Sequence, residues 1–272
     1  MQKMLSYAME LLKKVLLKIY LIWAVVTFCI IMTLSLPLVT LPFLLGEKRG
    51  GRIAYIFLKL WGYGFGLTSF IRFKTINRER IDRSQPYIYV ANHNSYLDSP
   101  AFVTAIPGQC RPLGKAEMLK IPVFGLLYPY VVVVVDRSSI ASRIKSMNAL
   151  KEKLRQGISV FLFPEGSMNT TDQPLLPFYD GAFRLAVESQ TPIRPMIILN
   201  SRNLLPRTKF ELRPGTITTV FLEPVPVAGL TLKDVPKLKE TVHKRMKDAL
   251  EYYDAYDVEE NSIFLEPKTS FG

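Results

Sequence analysis

Apolar and polar positions divide this chain into two regimes. From Ile19 to Leu45 no charged side chain occurs, the run opening IYLIWAVVTFCIIMTLSL and continuing PLVTLPFLL. Further along, short apolar runs alternate with longer helical patterns. YIYVAN at 87–92, VVVVV at 131–135 and SVFLF at 159–163 read as strands, near-continuously apolar as expected when helices cover both faces. Between the last two, Ile140, Ile144, Met147, Leu150 and Leu154 recur at three and four residues among Lys, Arg and Glu, predicting an amphipathic helix closed by Gly157. GAFRLAVESQ predicts a helix after Gly181, RPMIIL another strand, and 231–253 a charged amphipathic helix. KFELRPGTITTVFLEPV offers two extended runs separated by Pro214 and Gly215, which predicts a turn or hairpin. The expected fold is α/β, a mostly parallel central sheet flanked by helices, with an N-terminal helical membrane anchor.

The uncharged run exceeds the roughly 20 apolar residues that cross a bilayer, but crossing is not its only solution. Pro37 and Pro42 divide it, and both flanks are basic: Lys13, Lys14 and Lys18 before, Lys48, Arg49 and Arg52 after. Such symmetry gives no orientation, and a bent or paired helical anchor in one leaflet, with both flanks against anionic headgroups, is favoured over a single span. RIAYIFLKLWGYGFGLTSFIRFK then either extends that surface or packs on the core as an ordinary helix. A cleaved signal peptide fits poorly, because the run is long and no small-residue cleavage site follows. The formal charge of +12 is read as a face toward anionic lipid rather than nucleic acid, since no zinc-finger, basic-zipper or RNP-like pattern accompanies it. The expected division is 1–69 as anchoring and membrane-proximal region, 70–253 as catalytic domain and 254–272 as a tail without assigned function. The cytoplasmic face of the cell membrane is the expected location.

Several chemistries recede. Cys29 and Cys110 have neither CxxC spacing nor an activating neighbour and read as buried apolar residues. Gly62, Gly64 and Gly66 lack G-x-G-x-x-G spacing and read as close packing or a bend; no G-x-x-x-x-G-K loop is present, so neither NAD nor ATP is expected. Only two histidines occur, His93 and His243, too few and too far apart for a three-ligand zinc centre, and no metal is expected.

His243 falls in the charged C-terminal helix and reads as solvated or capping. His93 follows a buried strand in NHNSYLDSP, where a rigid element holds the residue while the next loop stays open to substrate. On one regular helix His93 and Asp98 would stand about 140° apart. A strand-to-helix turn, with Ser99 and Pro100 at the helix start, lets Asp98 fix the tautomer of a basic imidazole instead. The alternative is that Asp98 caps the helix and His93 merely pairs with it.

FPEGSMN at 163–169 also ends a strand. Gly166 permits a close turn, and Glu165 either binds a headgroup donor, orients the substrate hydroxyl, or serves as an N-terminal helix cap or structural partner for a backbone amide. Lys115, Lys120 and Arg137 are cations able to hold phosphate. Arg137 is preferred because it follows a strand and a guanidinium makes paired bonds to phosphate oxygens, the competing account being a salt bridge to Asp136 or Glu117.

Over roughly residues 70 to 225 the chain resembles the glycerolipid acyltransferase family that includes bacterial lysophosphatidate acyltransferases. The resemblance rests on Asn92-His93 with Ser95 and Asp98, on Lys115-Ala116-Glu117 with Pro122 and Gly125, on Arg137, on Phe163-Pro164-Glu165-Gly166, and on Pro192, Ile193 and Pro195. It implies that His93 and Asp98 activate an acceptor hydroxyl, that Glu165, Gly166, Ser167 and Lys115 help form the acceptor site, and that Arg137 binds phosphate. It further implies a lysolipid acceptor and an acyl thioester donor, either acyl carrier protein or acyl-coenzyme A, with no bound cofactor. One departure stands out. Many phosphate-using relatives carry Arg after Glu-Gly-Thr or Glu-Gly-Ser, whereas this chain has Met168, which offers no cation. 1-Acylglycerol-3-phosphate is the expected acceptor, and another lysolipid, such as a lyso-amino-acid lipid or lysophospholipid, is the alternative. A non-catalytic lipid-binding or scaffold protein is the third reading.

Overall fold

The computed structural model describes residues 2–207 and 211–255. The chain opens with α1 (Gln2–Thr40), a short 3-10 turn (Leu41–Leu45) and α2 (Glu47–Thr68). The rest of the chain follows as β1 (Ile71–Ile76), β2 (Ile88–Ala91), α3 (Asp98–Ala105), β3 (Cys110–Lys115), α4 (Phe124–Val131), β4 (Val133–Val135), α5 (Ile140–Arg155), β5 (Ser159–Leu162), α6 (Gly181–Ser189), β6 (Ile193–Leu199), α7 (Ser201–Leu204), β7 (Gly215–Phe221) and α8 (Val235–Ala255).

The sheet order is β1-β7-β6-β2-β5-β3-β4. β6 and β7 pair antiparallel, Leu199 opposite Thr218, and the other adjoining strands are parallel. The expected α/β architecture is therefore present. β2, β5, β3, β4 and β6 end at one edge, where β1 and β7 begin; that edge carries His93, since its loop leaves β2 there.

Two apolar layers sandwich the sheet. Under α2 and α3 lie Tyr55, Trp61, Phe65, Phe102, Tyr89, Phe161 and Met196. Under α5, α6 and α8 lie Leu150, Phe183, Leu185, Val160, Ile197, Val242 and Met246. Period-two alternation along β6, with Met196 and Ile198 on one side and Ile193 and Ile197 on the other, is what a strand covered on both faces requires.

α1 packs through one seam only. Ala24, Thr27, Met32, Ser35 and Val39 are buried at helical spacing, and Phe28 meets Trp61 and Phe65 of α2 edge-on, with centroids 5.5 and 5.6 Å apart. Trp23 donates from Nε1 to the Thr68 carbonyl at 2.8 Å, and the Tyr20 hydroxyl donates to the Ser69 carbonyl. The outer face keeps Ile22, Val26, Ile30, Leu34 and Leu38 exposed, and α2 adds Ile56, Leu60 and Leu67. The helix is long and apolar enough to cross a membrane. α2, by contrast, buries Ala54, Tyr55, Leu58, Trp61 and Phe65. The packing reading of the glycines holds at Gly62, where an added Cβ would stand 2.7 Å from Thr104, and at Gly66, where it would stand 2.6 Å from the Ile71 carbonyl.

Four local expectations need correction. Pro37 does not divide the apolar run: it lies inside α1, which continues to Thr40, while Pro42 starts the 3-10 turn. Val131 closes α4 instead of opening a strand, because the amide of Val132 still bonds helically to Tyr128 at 2.9 Å, leaving Val133–Val135 for β4. No hairpin forms about Pro214: residues 211–214 form no strand, and both edges of β7 are taken by β1 and β6. Residues 208–210 and 256–272 lie outside the described residues. Finally, the α5 stripe is buried only in its second half, Leu150 and Leu154 being covered while Ile140 and Ile144 stay exposed. Its closure is as expected: Gly157 takes φ +76°, its amide bonds to Leu154 and that of Ile158 to Lys153, the paired bonds of a Schellman cap.

Candidate active site

Asn92, fully buried where β2 ends, fixes the loop that carries the chemistry. Its side chain donates to the Ile198 carbonyl at 2.9 Å and accepts from the Ile198 amide at 2.8 Å, tying the loop to β6. The next residue, His93, turns its Nδ1 to Asp98 Oδ2 at 2.9 Å. The same oxygen accepts the amides of Asn94 at 2.7 Å and Ser95 at 2.8 Å. Asp98, the first residue of α3, thus closes the strand-to-helix turn and holds the imidazole; it does not cap the helix, whose N-cap position is Leu97 without a side-chain bond. Its Oδ1 is buried without a partner. The His93 ring stacks on Phe163 with centroids 3.8 Å apart and planes 10° apart, and the side chain keeps 19% exposure. With Nδ1 engaged, Nε2 is the nitrogen left for a substrate proton.

Glu165 stands behind this pair. It is 2% exposed, accepting the His93 amide at 2.7 Å through Oε1 and the Leu176 amide at 2.9 Å through Oε2. Burial pushes its carboxyl up to about 7, the two amides and Arg202 pulling the other way while nearby Asp98 adds to the rise. In this arrangement the carboxylate grips the His93 backbone instead of opening to solvent. Gly166 follows at φ +70°, where glycine is at ease. A Cβ there would stand 2.7 Å from the Tyr179 ring, and the Tyr179 amide donates to the Pro164 carbonyl at 2.9 Å. Ser167 is exposed; Met168 is buried.

The cations gather two strands away on the same edge. Lys115 ends β3 in register with Val135 of β4, two residues before Arg137, and both side chains are exposed. Glu117, Tyr128 and Tyr179 are the electrostatic neighbours of Arg137. It makes no ion pair among the described residues, so the competing salt bridges to Asp136 and Glu117 are not formed. Tyr179 links this cationic end to Gly166. Between Lys120 and α4, Val123 sits at φ 63° with the Phe124 amide bonded to the Pro122 carbonyl at 2.6 Å, a strained γ-turn on a β-branched residue.

Sequence reasoning passed over Arg202. From α7 its guanidinium donates to the carbonyls of Thr171 at 2.7 Å and Asn169 at 3.0 Å, and to Asn94 Oδ1 at 3.4 Å. The Asn169 amide in turn donates to the His93 carbonyl at 2.6 Å. No motif flags an arginine on a one-turn helix; only the closure of β6 against β2 brings it beside His93.

The Acyltransferase family matches residues 72–199, from β1 to the last residue of β6. Human 1-acyl-sn-glycerol-3-phosphate acyltransferase beta is 33% identical over 208 residues, which cover 74% of this chain and 73% of the human one. The human alpha enzyme is 34% identical over 178 residues, covering 65% of this chain and 62% of its own. The crystal structure of the 1-acyl-sn-glycerophosphate (LPA) acyltransferase of Thermotoga maritima has the same fold, with a TM-score of 0.74 at 22% identity over 90% of this chain and 97% of that one. With that coverage of the human beta relative and the matched block spanning the site, the chain belongs to the acyltransferase family.

Proposed function

We propose that this chain transfers a fatty acyl group from an acyl thioester to the sn-2 hydroxyl of 1-acylglycerol-3-phosphate, forming phosphatidate and a free thiol. The observation that carries the reading is the 2.9 Å contact of His93 Nδ1 with buried Asp98, which leaves Nε2 as the unengaged nitrogen of a partly exposed side chain. Nε2 removes the hydroxyl proton as the acceptor oxygen attacks the thioester carbonyl, and Asp98 stabilises the imidazolium that forms. Collapse of the tetrahedral intermediate breaks the carbon–sulfur bond, and the thiolate recovers the proton from His93. Cysteine takes no part: Cys110 is buried, and burial raises its thiol well above the ordinary range, while Cys29, exposed on α1 and not buried as expected, belongs to the anchoring helix.

In this account Arg137 binds the acceptor phosphate, with Lys115 as a second cation and Gly166 and Ser167 lining the acceptor side. Glu165 and Arg202 are positioning residues, one holding the His93 amide and the other bracing the 169–171 turn that holds its carbonyl. The donor is acyl carrier protein or acyl-coenzyme A. Residues 70–253 carry the catalysis. Residues 1–69 anchor it in one leaflet on the cytoplasmic side; from Tyr20 onward α2 covers the inner seam of α1 and leaves the outer face for lipid, while residues 3–16 are exposed all round.

A second acceptor reading is favoured by one observation: buried Met168 stands where many phosphate-using relatives have arginine. The decisive experiment offers lysophosphatidate together with zwitterionic and uncharged single-chain acceptors to the wild type and to Arg137→Ala. The proposal predicts selective phosphatidate formation by the wild type and a raised KM for lysophosphatidate alone in the variant. Equal use of the other acceptors by the wild type would move the enzyme to another lysolipid.

A further inference from the structure

At the sheet edge opposite His93, the cationic side chains of Arg194, Arg78 and Lys59 make no ion pair among the described residues. Arg194, second residue of β6, is 1% exposed. It is in register with Tyr89 of β2, and strand alternation with Met196 and Ile198 turns it into the layer beneath α2. Its Nε and Nη2 are buried without a hydrogen-bond partner, and it makes no ion pair among the described residues. Arg78, two residues past the end of β1, also has a buried, unpartnered Nε, and the Tyr55 hydroxyl on α2 is in the same condition. Lys59, one turn further along α2, holds its Nζ 5.4 Å from the Tyr55 ring centroid. Register brings the two arginines to one end of the sheet: β1 and β6 flank β7, Ile76 opposite Val220 and Met196 opposite Phe221, so Arg78 and Arg194 each lie two residues beyond adjacent positions of β7. Arg78 acts on Tyr55 and Lys59, while Arg194 acts on Tyr89, which in turn acts on Tyr55. Burial, Arg78 and Arg83 lower the Lys59 ammonium to about 8.

Arg111 makes the contrast. It is equally buried in the same layer, yet its Nε donates to Glu47 Oε1 at 3.0 Å. The fold thus supplies a carboxylate to one interior arginine and none to the other. A guanidinium cannot shed its proton, and an unmatched interior charge is strongly unfavourable. Water would satisfy its donors but not its charge. An oxyanion satisfies both, and the flat guanidinium suits its paired oxygens.

We propose that Arg194, Arg78, Lys59 and the Tyr55 hydroxyl form a binding site for a phosphate-type oxyanion, separate from the acceptor site. Arg194 is the paired donor, Arg78 Nε and Tyr55 add single bonds, and Lys59 supplies charge at the half-exposed rim. Phosphate reaches it either free or as a lipid headgroup.

The test is thermal unfolding of the full chain in neutral detergent, titrated with sodium phosphate against sodium chloride at matched ionic strength. The expected result is a saturable, phosphate-specific rise in Tm of several degrees. The rise persists in Arg137→Ala, which separates it from any phosphate held at the acceptor site. It disappears in Arg194→Met, and in Lys59→Met its midpoint moves about tenfold to higher phosphate. If Arg194→Met does not fold, Lys59→Met and Arg78→Met carry the comparison. Repeating the scan in mixed micelles of phosphatidylglycerol or phosphatidylcholine distinguishes the sources. A headgroup occupant raises Tm with phosphatidylglycerol and makes added phosphate redundant, whereas a free anion still adds its full increment. No phosphate-specific rise and no lipid-specific rise, or a rise unchanged in all three variants, would overturn the proposal.

Discussion

Replacing Glu165 by Gln should change the pH dependence of stability in a direction and by an amount that follow from burial. Glu165 is 2% exposed, and its carboxyl is moved from an ordinary 4.5 to about 7, chiefly by desolvation. A folded-state value above the unfolded one stabilises at low pH and loses that contribution as pH rises. In the window between 4.5 and about 7 the unfolded chain ionises first, and above that window both states are ionised and the loss is complete. A shift of that size corresponds to roughly 3 kcal/mol. Gln does not titrate, but it turns an NH2 toward one of the two backbone amides that Glu165 accepts. That mismatch costs about 1–3 kcal/mol at every pH. Glu165→Gln should therefore be the less stable protein at pH 4.5, the gap should narrow by up to roughly 3 kcal/mol toward pH 7, and it should stay constant above. Denaturant unfolding of both proteins in neutral detergent across pH 4.5–8.5 measures the gap directly. A gap that does not narrow would refute the desolvated carboxyl.

Other consequences are equally specific. Asp98→Asn keeps the shape of the turn but removes the charge facing the imidazolium, so kcat should fall on the order of 10²–10⁴-fold with little change in KM; unchanged turnover would reduce Asp98 to a brace of the strand-to-helix turn. Arg202→Met should lower kcat about tenfold or more while KM for lysophosphatidate stays near wild type, with partial rescue by Arg202→Lys; a change confined to KM would make Arg202 a substrate contact instead. Gly166→Ala places a Cβ at φ +70°, 2.7 Å from Tyr179, and should cost about 1–2 kcal/mol in stability. Adding Tyr179→Ala should recover the part due to the clash, which a double-mutant cycle will show.

The legible parts of the sequence were those in which local pattern and tertiary demand agree. Buried strands such as Ile88–Ala91 and Ser159–Leu162 are apolar because both faces are covered, and periodicity reports that. His93 and Asp98 were legible as a pair because they lie five residues apart on one loop. The less legible features depend on distant parts of the chain. Whether 209–225 folds back on itself was decided by β1 and β6 taking both edges of β7. Glu165 was read as an acceptor-site group or as a partner for a backbone amide; its carboxylate meets two amides, from His93 and Leu176, that no spacing rule connects. Arg202 and Arg194 carry no motif, and their significance lies in what they meet or fail to meet inside the fold.

The most direct test of the central claim is product formation by purified protein in lipid micelles, given an acyl thioester and a mixture of lysophosphatidate with uncharged and zwitterionic acceptors, beside His93→Ala. The account predicts phosphatidate as the selective product, with thiol released one for one, and loss of both in the variant while lipid association and folding remain. Equal turnover by wild type and folded His93→Ala would contradict it.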